Sequence, residues 1–164
     1  MPRPVHVTTP NDREIRVTRE FDAPRSLVWE CHTRPEHVRR WMLGPDGWSM
    51  PVCEIDLEVG GRYRHVWRND ADGSQFGFRG QYREIVAPAR LVHSENWDGA
   101  PEGEGNDAIC TLTLTEKAGR TTLTYSMLFP SREVRDQALQ SGMTDGMAAG
   151  YDRLDAIMTA QSLA

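Results

Sequence analysis

From Glu14 to Phe21 the chain reads EIRVTREF, with Ile15, Val17 and Phe21 on one parity and Arg16, Thr18 and Glu20 on the other. A period of two marks a strand with one face in a core, and Arg19 interrupts the apolar side. The stretch DAPRSLVWECHTRPEHVRRWM then spaces Leu27, Val28 and Cys31 as a helix does, with Asp22 expected as its cap and a proline in its first turn. Pro35 opens a second short helix. Strand patterns follow over 50–57, 62–68, 75–86, 90–97, 108–116 and 121–129, divided by the hairpin signals Gly60-Gly61 and Asp72-Gly73. Beyond Ser131 the period changes: Leu139, Met143, Met147, Tyr151, Leu154 and Met158 step by fours and a three, which predicts one long helix capped by Ser131.

This order predicts an α+β domain, an antiparallel meander whose apolar face is covered by the last helix. Residues 14–161 are expected to form the single domain, 1–13 a flexible lead-in, and DGAPEGEGND over 98–107 a mobile loop. There are no internal repeats.

The glycine pair at 60–61 reads as a two-residue turn, because primed turns need positive φ. A phosphate-cradling loop is rejected there: no G-x-G-x-x-G is present and the pair leads into a strand. After the turn, alternation sends Tyr63, His65 and Trp67 to one face and Arg62, Arg64, Val66 and Arg68 to the other. The arginine face is expected to be wet and charge-compensated by Glu54, Asp56, Glu58 and Glu84.

The same parity places Phe76, Phe78 and Tyr82, then Leu91, His93, Glu95 and Trp97, then Leu123, Tyr125, Met127 and Phe129 on common inward faces. Branched aliphatics pack a core most densely, so an inward face rich in Trp, Tyr, His and Met, with Glu95 and the strand glycines Gly77 and Gly80, suits a cavity wall. Met143, Met147 and Tyr151 bring the last helix to that wall, and Gly142, Gly146 and Gly150 recur beside them despite the cost of helical glycine. Trp41 and Trp48 flank the MLGPDG loop, a position from which a lid would hinge at the pocket rim.

Charge and cysteine usage narrow the partners. In 164 residues, 19 Lys+Arg against 24 Asp+Glu leave 19 − 24 = −5, which argues against nucleic acid. Cys31, Cys53 and Cys110 are odd in number and form no C-x-x-C pair, so a reducing cytoplasm is expected and a disulfide framework is not. The polar start and the lack of a long apolar run argue against export and membrane insertion.

Candidate chemistry is acid/base. No G-x-S-x-G elbow is present, and the cysteines have no assignable histidine partner. His93 and Glu95 share a strand face and His65 lies across the sheet, but their spacing matches no established metal site, and neither metal nor cofactor is expected. Glu95, His65, His93 and Tyr125 are the catalytic candidates, since carboxyl and imidazole groups in an apolar cavity have shifted pKa values and a tyrosine can hold an enolate oxygen.

The segments TREFDAPRSLVWECHTRPEHVRRWM, CEIDLEVGGRYRHVW, DGSQFGFRGQYREIVAPARLVHSENW and GYDRLDAI, in this order, resemble the bacterial AHSA1-like proteins, relatives of the activator of Hsp90 ATPase within the START/SRPBCC superfamily. The resemblance runs from about Glu14 to Met158. It implies the helix-grip (START/Bet v 1-like) fold: a curved antiparallel sheet wrapped around a long C-terminal helix, with two short helices after the first strand and a deep cavity between. Met42 and Leu43 stand where the family commonly has a second aromatic and a Gly-Pro, and Gly150-Tyr151 where it has Gly-Trp.

Three functions follow as expectations. The first is binding of a hydrophobic or aromatic small molecule in the cavity; the second is a cyclase or isomerase using Glu95, His65, His93 and Tyr125. The third is an Hsp90-type co-chaperone, disfavoured because about thirteen residues before the first strand are too few for the activator's additional domain. A homodimer joined through strand edges or paired pocket mouths is the assembly the sequence allows.

Overall fold

The computed structural model describes residues 3–101 and 106–163, with side chains to residue 160. Eight strands run in chain order: β1 (His6–Thr8), β2 (Glu14–Phe21), β3 (Trp48–Ile55), β4 (Arg62–Asn69), β5 (Gln75–Val86), β6 (Arg90–Trp97), β7 (Ala108–Lys117) and β8 (Arg120–Leu128). Helices α1 (Arg25–Thr33) and α2 (Pro35–Trp41) follow β2, and α3 (Arg132–Gln140) and α4 (Met143–Leu163) close the chain. The strands form one antiparallel sheet in the order β1-β2-β8-β7-β6-β5-β4-β3. The sheet is curved and open, the helix-grip arrangement.

Register builds the inner face. One row runs Ile15, Met127, Cys110, His93 and Tyr82 across five strands, and the next runs Val17, Tyr125, Leu112, Leu91 and Ile85. Leu112, Leu114, Leu123, Ile15, Val17 and Phe21 are sealed with Val28 of α1 and Leu154 and Met158 of α4 in the main core. Burial of these side chains contributes about 1.5–3 kcal/mol each. Trp41 joins them: its indole donates to the Cys31 carbonyl at 2.8 Å and stacks on Tyr151 at 5.7 Å. It is therefore a core pillar between α2 and α4, which corrects its assignment to the pocket rim.

Arg19 keeps its inward parity and is fully buried. Its guanidinium lies 4.6 Å over the Phe21 ring and reaches Asp152 at 3.2 Å and Asp155 at 3.7 Å on α4, and it donates to the Glu20 carbonyl. The interruption in the strand pattern is thus the tether that holds β2 to α4.

Several local expectations change. The long last helix is two, because Gly142 takes φ +82°, a left-handed residue that ends α3 and lets α4 start on a new axis. Ser131 does cap α3, accepting from the Val134 N–H. Asp22 does not cap α1; it pairs with Arg3 and Arg120, while the Arg25 N–H is taken by Glu116 at 2.7 Å. The glycine pair closes a loop over residues 56–61 in place of a two-residue turn: Gly60 has φ +86°, and a Cβ on Gly61 would lie 2.2 Å from the Asp56 carbonyl.

The lead-in over 1–13 contributes β1, which pairs with β2 because β2 would otherwise present an open edge. Val66 is buried on the outer face, against the expectation of a wholly wet surface, while Arg64 pairs with Glu54 and Asp98 and Arg90 with Glu84. Gly146 and Gly150 bring α4 close to α2 and its following loop, not to the sheet: a Cβ on Gly150 would sit 3.2 Å from the Trp41 carbonyl. The loop expected over 98–107 lies in part outside the described residues.

Candidate functional site

Between α4 and the inner face of β4 to β8 lies a set of large side chains that the core does not close over. α4 packs mainly on α2, α3 and β2, and Trp67, Phe78, Tyr125, Phe129, Met143 and Met147 remain only half-buried. The central feature is a chain of polar groups. Tyr63 on β4 lies across β5 and places its hydroxyl 2.9 Å from Glu95 Oε1, 2.9 Å from the Ser94 carbonyl and 3.0 Å from His93 Nδ1. His93 Nε2 is 3.1 Å from the Tyr125 hydroxyl, and Cys110 lies opposite His93 on β7.

Gly80 makes this crossing possible. A Cβ there would lie 1.9 Å from the Ser94 carbonyl and 2.5 Å from the Tyr63 ring, so only glycine lets Tyr63 reach β6. Its signal in the sequence was a glycine inside a strand; its role as a passage for Tyr63 depends on register. The Ser94 carbonyl, Cys110 and Ala108, the last directly opposite Glu95, had no sequence signal beyond parity.

Burial sets the protonation states. The Glu95 carboxyl is pushed up to about 7, with the Tyr63 hydroxyl pulling the other way. His93 and His65 are both pushed down to about 4 by burial and are neutral at pH 7. The phenols of Tyr63 and Tyr125 are raised by burial, and so is the Cys110 thiol, so all three stay protonated. One self-consistent arrangement satisfies the chain: Tyr125 donates to His93 Nε2, His93 Nδ1–H serves the Ser94 carbonyl and the Tyr63 oxygen, and Tyr63 donates to Glu95. His65 stands apart. Its Nδ1 is enclosed and without a hydrogen-bond partner.

The predicted site residues divide into three groups. Glu95, His93, Tyr63 and Tyr125 share the hydrogen-bonded chain, and His65 sits beside it with its ring centroid 5.1 Å from that of Tyr63. Trp48, Trp67, Phe76, Phe78 and Trp97 form a contiguous aromatic wall, with ring centroids 4.6 to 6.1 Å apart, at the outer end of β3 to β6. Phe76 and Trp97 remain 40% and 57% exposed. Met127 and Tyr151, like Trp41, are closed into the core.

A depression of about 530 Å³ opens among Arg62, Arg64, Arg79, Gln81 and Asp107, and Tyr63, Gly80 and Ser94 also line it. Arg64 there is held by Asp98 and Glu54, and Arg79 by the Ala100 carbonyl. The buried titratable groups lie on the inner face, and the inner face is therefore the candidate site. Among the described residues no three His, Cys, Asp or Glu side chains gather as a metal ion would require, and no helix is long and apolar enough to cross a membrane.

A curved sheet gripping a terminal helix over a wall of aromatic and polar side chains defines a START/SRPBCC-type domain. More particularly, the chain belongs to the AHSA1 family, described as activator of Hsp90 ATPase homolog 1-like proteins, whose model matches residues 22–159. Among solved structures, a protein from Rhodobacter sphaeroides is similar at 27% identity and TM-score 0.86, covering 96% of this chain and 99% of its own. One from Mycobacterium smegmatis is similar at 25% identity and TM-score 0.84, covering 96% and 98%. An AHSA1-like protein from Aeromonas hydrophila shares the fold at 20% identity and TM-score 0.68, covering 87% and 93%. No curated protein matches the chain.

Proposed function

We propose that this protein binds a mainly apolar, ring-bearing small molecule in the groove between α4 and the inner face of the sheet. The observation that carries the reading is the band of half-buried Trp67, Phe78, Tyr125, Phe129, Met143 and Met147 next to a buried polar chain. A core would close over such side chains, whereas a ligand site keeps apolar walls with a few placed polar groups. Native mass spectrometry of the purified protein, followed by denaturing extraction, tests it, together with a thermal-shift panel of aromatic and acyl compounds. A bound molecule, or a saturable shift abolished by Met147→Trp, supports the reading. An empty protein with no saturable shift overturns it.

A second reading, a cyclase or isomerase, has one observation in its favour: a carboxyl held near 7 at the end of a chain of hydroxyl and imidazole groups. Such a carboxyl is poised to take and return a proton at neutral pH. Under that reading Glu95→Gln abolishes turnover of a bound substrate while binding persists. A co-chaperone role draws only on the family's description, and stimulation of a purified Hsp90 ATPase is its test.

A further inference from the structure

We propose that the groove selects its ligand by charge, taking an uncharged aromatic molecule whose hydroxyl or N–H donates to Glu95, and rejecting the corresponding carboxylate. This rests on the groove reading above and names the chemistry of its polar end.

Glu95 is one end of the polar chain and, like Tyr125 at the other end, is only partly buried. Tyr63, Ser94 and His93 are buried, whereas Glu95 is partly accessible. Tyr63 occupies one side of it, through Gly80, and on the other side Ala108 ends at a methyl group. Among the described residues Tyr63 supplies the one hydrogen bond to this carboxylate. It therefore retains acceptor capacity, and a ligand donor is the group that fits there.

His65 belongs to the wall beside Tyr63. It is 9% exposed, its Nδ1 has no partner, and it lies between the rings of Tyr63 and Trp67, at centroid distances of 5.1 and 5.9 Å. Beyond His65 the wall continues as Trp67, Phe78 and Trp97, flat surfaces suited to a flat ring.

Among the described residues no cation acts on the Glu95 carboxyl to receive an anion beside it. Arg19, inward on β2, is held by Asp152 and Asp155. Arg62, Arg64 and Arg79 line the outer depression, Arg153 of α4 pairs with Asp46, and Arg39, exposed on α2, interacts with Cys53, which lies opposite His65. The histidines facing the groove are neutral. Above the Glu95 midpoint near 7, a ligand carboxylate would lose its water only to meet a negative Glu95, without compensation.

Isothermal titration at pH 8, where Glu95 is ionised, with 2-naphthol, 2-methylnaphthalene and 2-naphthoate tests the proposal. We expect 2-naphthol to bind at least about 30-fold more tightly than 2-naphthoate, a like-charge penalty at an effective interior dielectric, and more tightly than 2-methylnaphthalene. Glu95→Gln, whose amide can donate to a carboxylate, should narrow the naphthol-to-naphthoate ratio at least about tenfold, and Glu95→Ala should narrow it too if the glutamine variant fails to fold. Naphthoate binding as tightly as naphthol, naphthol no tighter than methylnaphthalene, or a ratio untouched by both variants overturns the charge selection and leaves the groove reading standing. Failure of all three probes to bind counts against the groove reading itself.

Discussion

The Tyr63 hydroxyl sits 2.9 Å from Glu95 Oε1, joining β4 to β6 across the intervening strand. This hydrogen bond favours the ionised carboxyl, and burial opposes it. Tyr63→Phe removes the donor and keeps the ring, so the Glu95 titration should move upward from about 7, by roughly one unit. Carboxyl-detected NMR of the variant across pH 5 to 9 checks it; an unchanged midpoint would show that the hydroxyl does not govern this group.

Gly80 and Gly146 should respond in opposite directions to alanine. At Gly80 the new Cβ overlaps the Ser94 carbonyl and the Tyr63 ring, and the strands cannot separate without losing their ladder. We expect a loss of about 3 kcal/mol. At Gly146, inside α4, the nearest non-helical atom is 3.8 Å away, so Gly146→Ala should stabilise by about 0.5–1 kcal/mol. Urea denaturation of the two variants gives both signs in one experiment.

The pH dependence of stability has two opposed parts. Glu95 holds a folded pKa near 7, above its unfolded value, so between about 4.5 and 7 the native state binds the extra proton and stability falls as pH rises. His32, His65 and His93 hold folded pKa values near 4, below their unfolded value, so between about 4 and 6.5 stability rises with pH. Three histidines outweigh one carboxyl below pH 6.5, and the net trend there is upward. Glu95→Gln should gain up to about 3 kcal/mol over the wild type at pH 8 and much less at pH 5. A pH-independent difference would contradict the buried, raised carboxyl.

Arg19 is a buried cation whose counter-charges lie on another element. Removing the counter-charges should be worse than removing the arginine. The double variant Asp152→Asn/Asp155→Asn leaves the cation uncompensated and should cost about 3–5 kcal/mol, whereas Arg19→Met, of similar length, should cost far less. Thermal melts of the two proteins at equal concentration decide it; equal losses would mean that the pair acts through packing alone.

Alternation over Glu14–Phe21, Gln75–Val86 and Arg90–Trp97 placed three strands with the bounds observed, and the same alternation in these and the other strands assigned Tyr63, His65, His93, Glu95 and Tyr125 to one face. Such features are legible because pleat and turn chemistry are local: a side chain's face follows from its own position in a two-residue period. The hydrogen-bonded chain was not legible. Whether Tyr63 meets Glu95 depends on the registers of β4, β5 and β6 and on an absent Cβ at Gly80, and the alternating pattern carries no information on register between strands. The apolar stripe from Leu139 to Met158 likewise ran unbroken through Gly142, since periodicity counts positions and does not sense the single left-handed residue that divides α3 from α4. Arg19 appeared only as a fault in its strand. Its partners lie more than a hundred residues away, and only the packing of α4 on β2 turned that fault into an ion pair between a buried arginine and the helix.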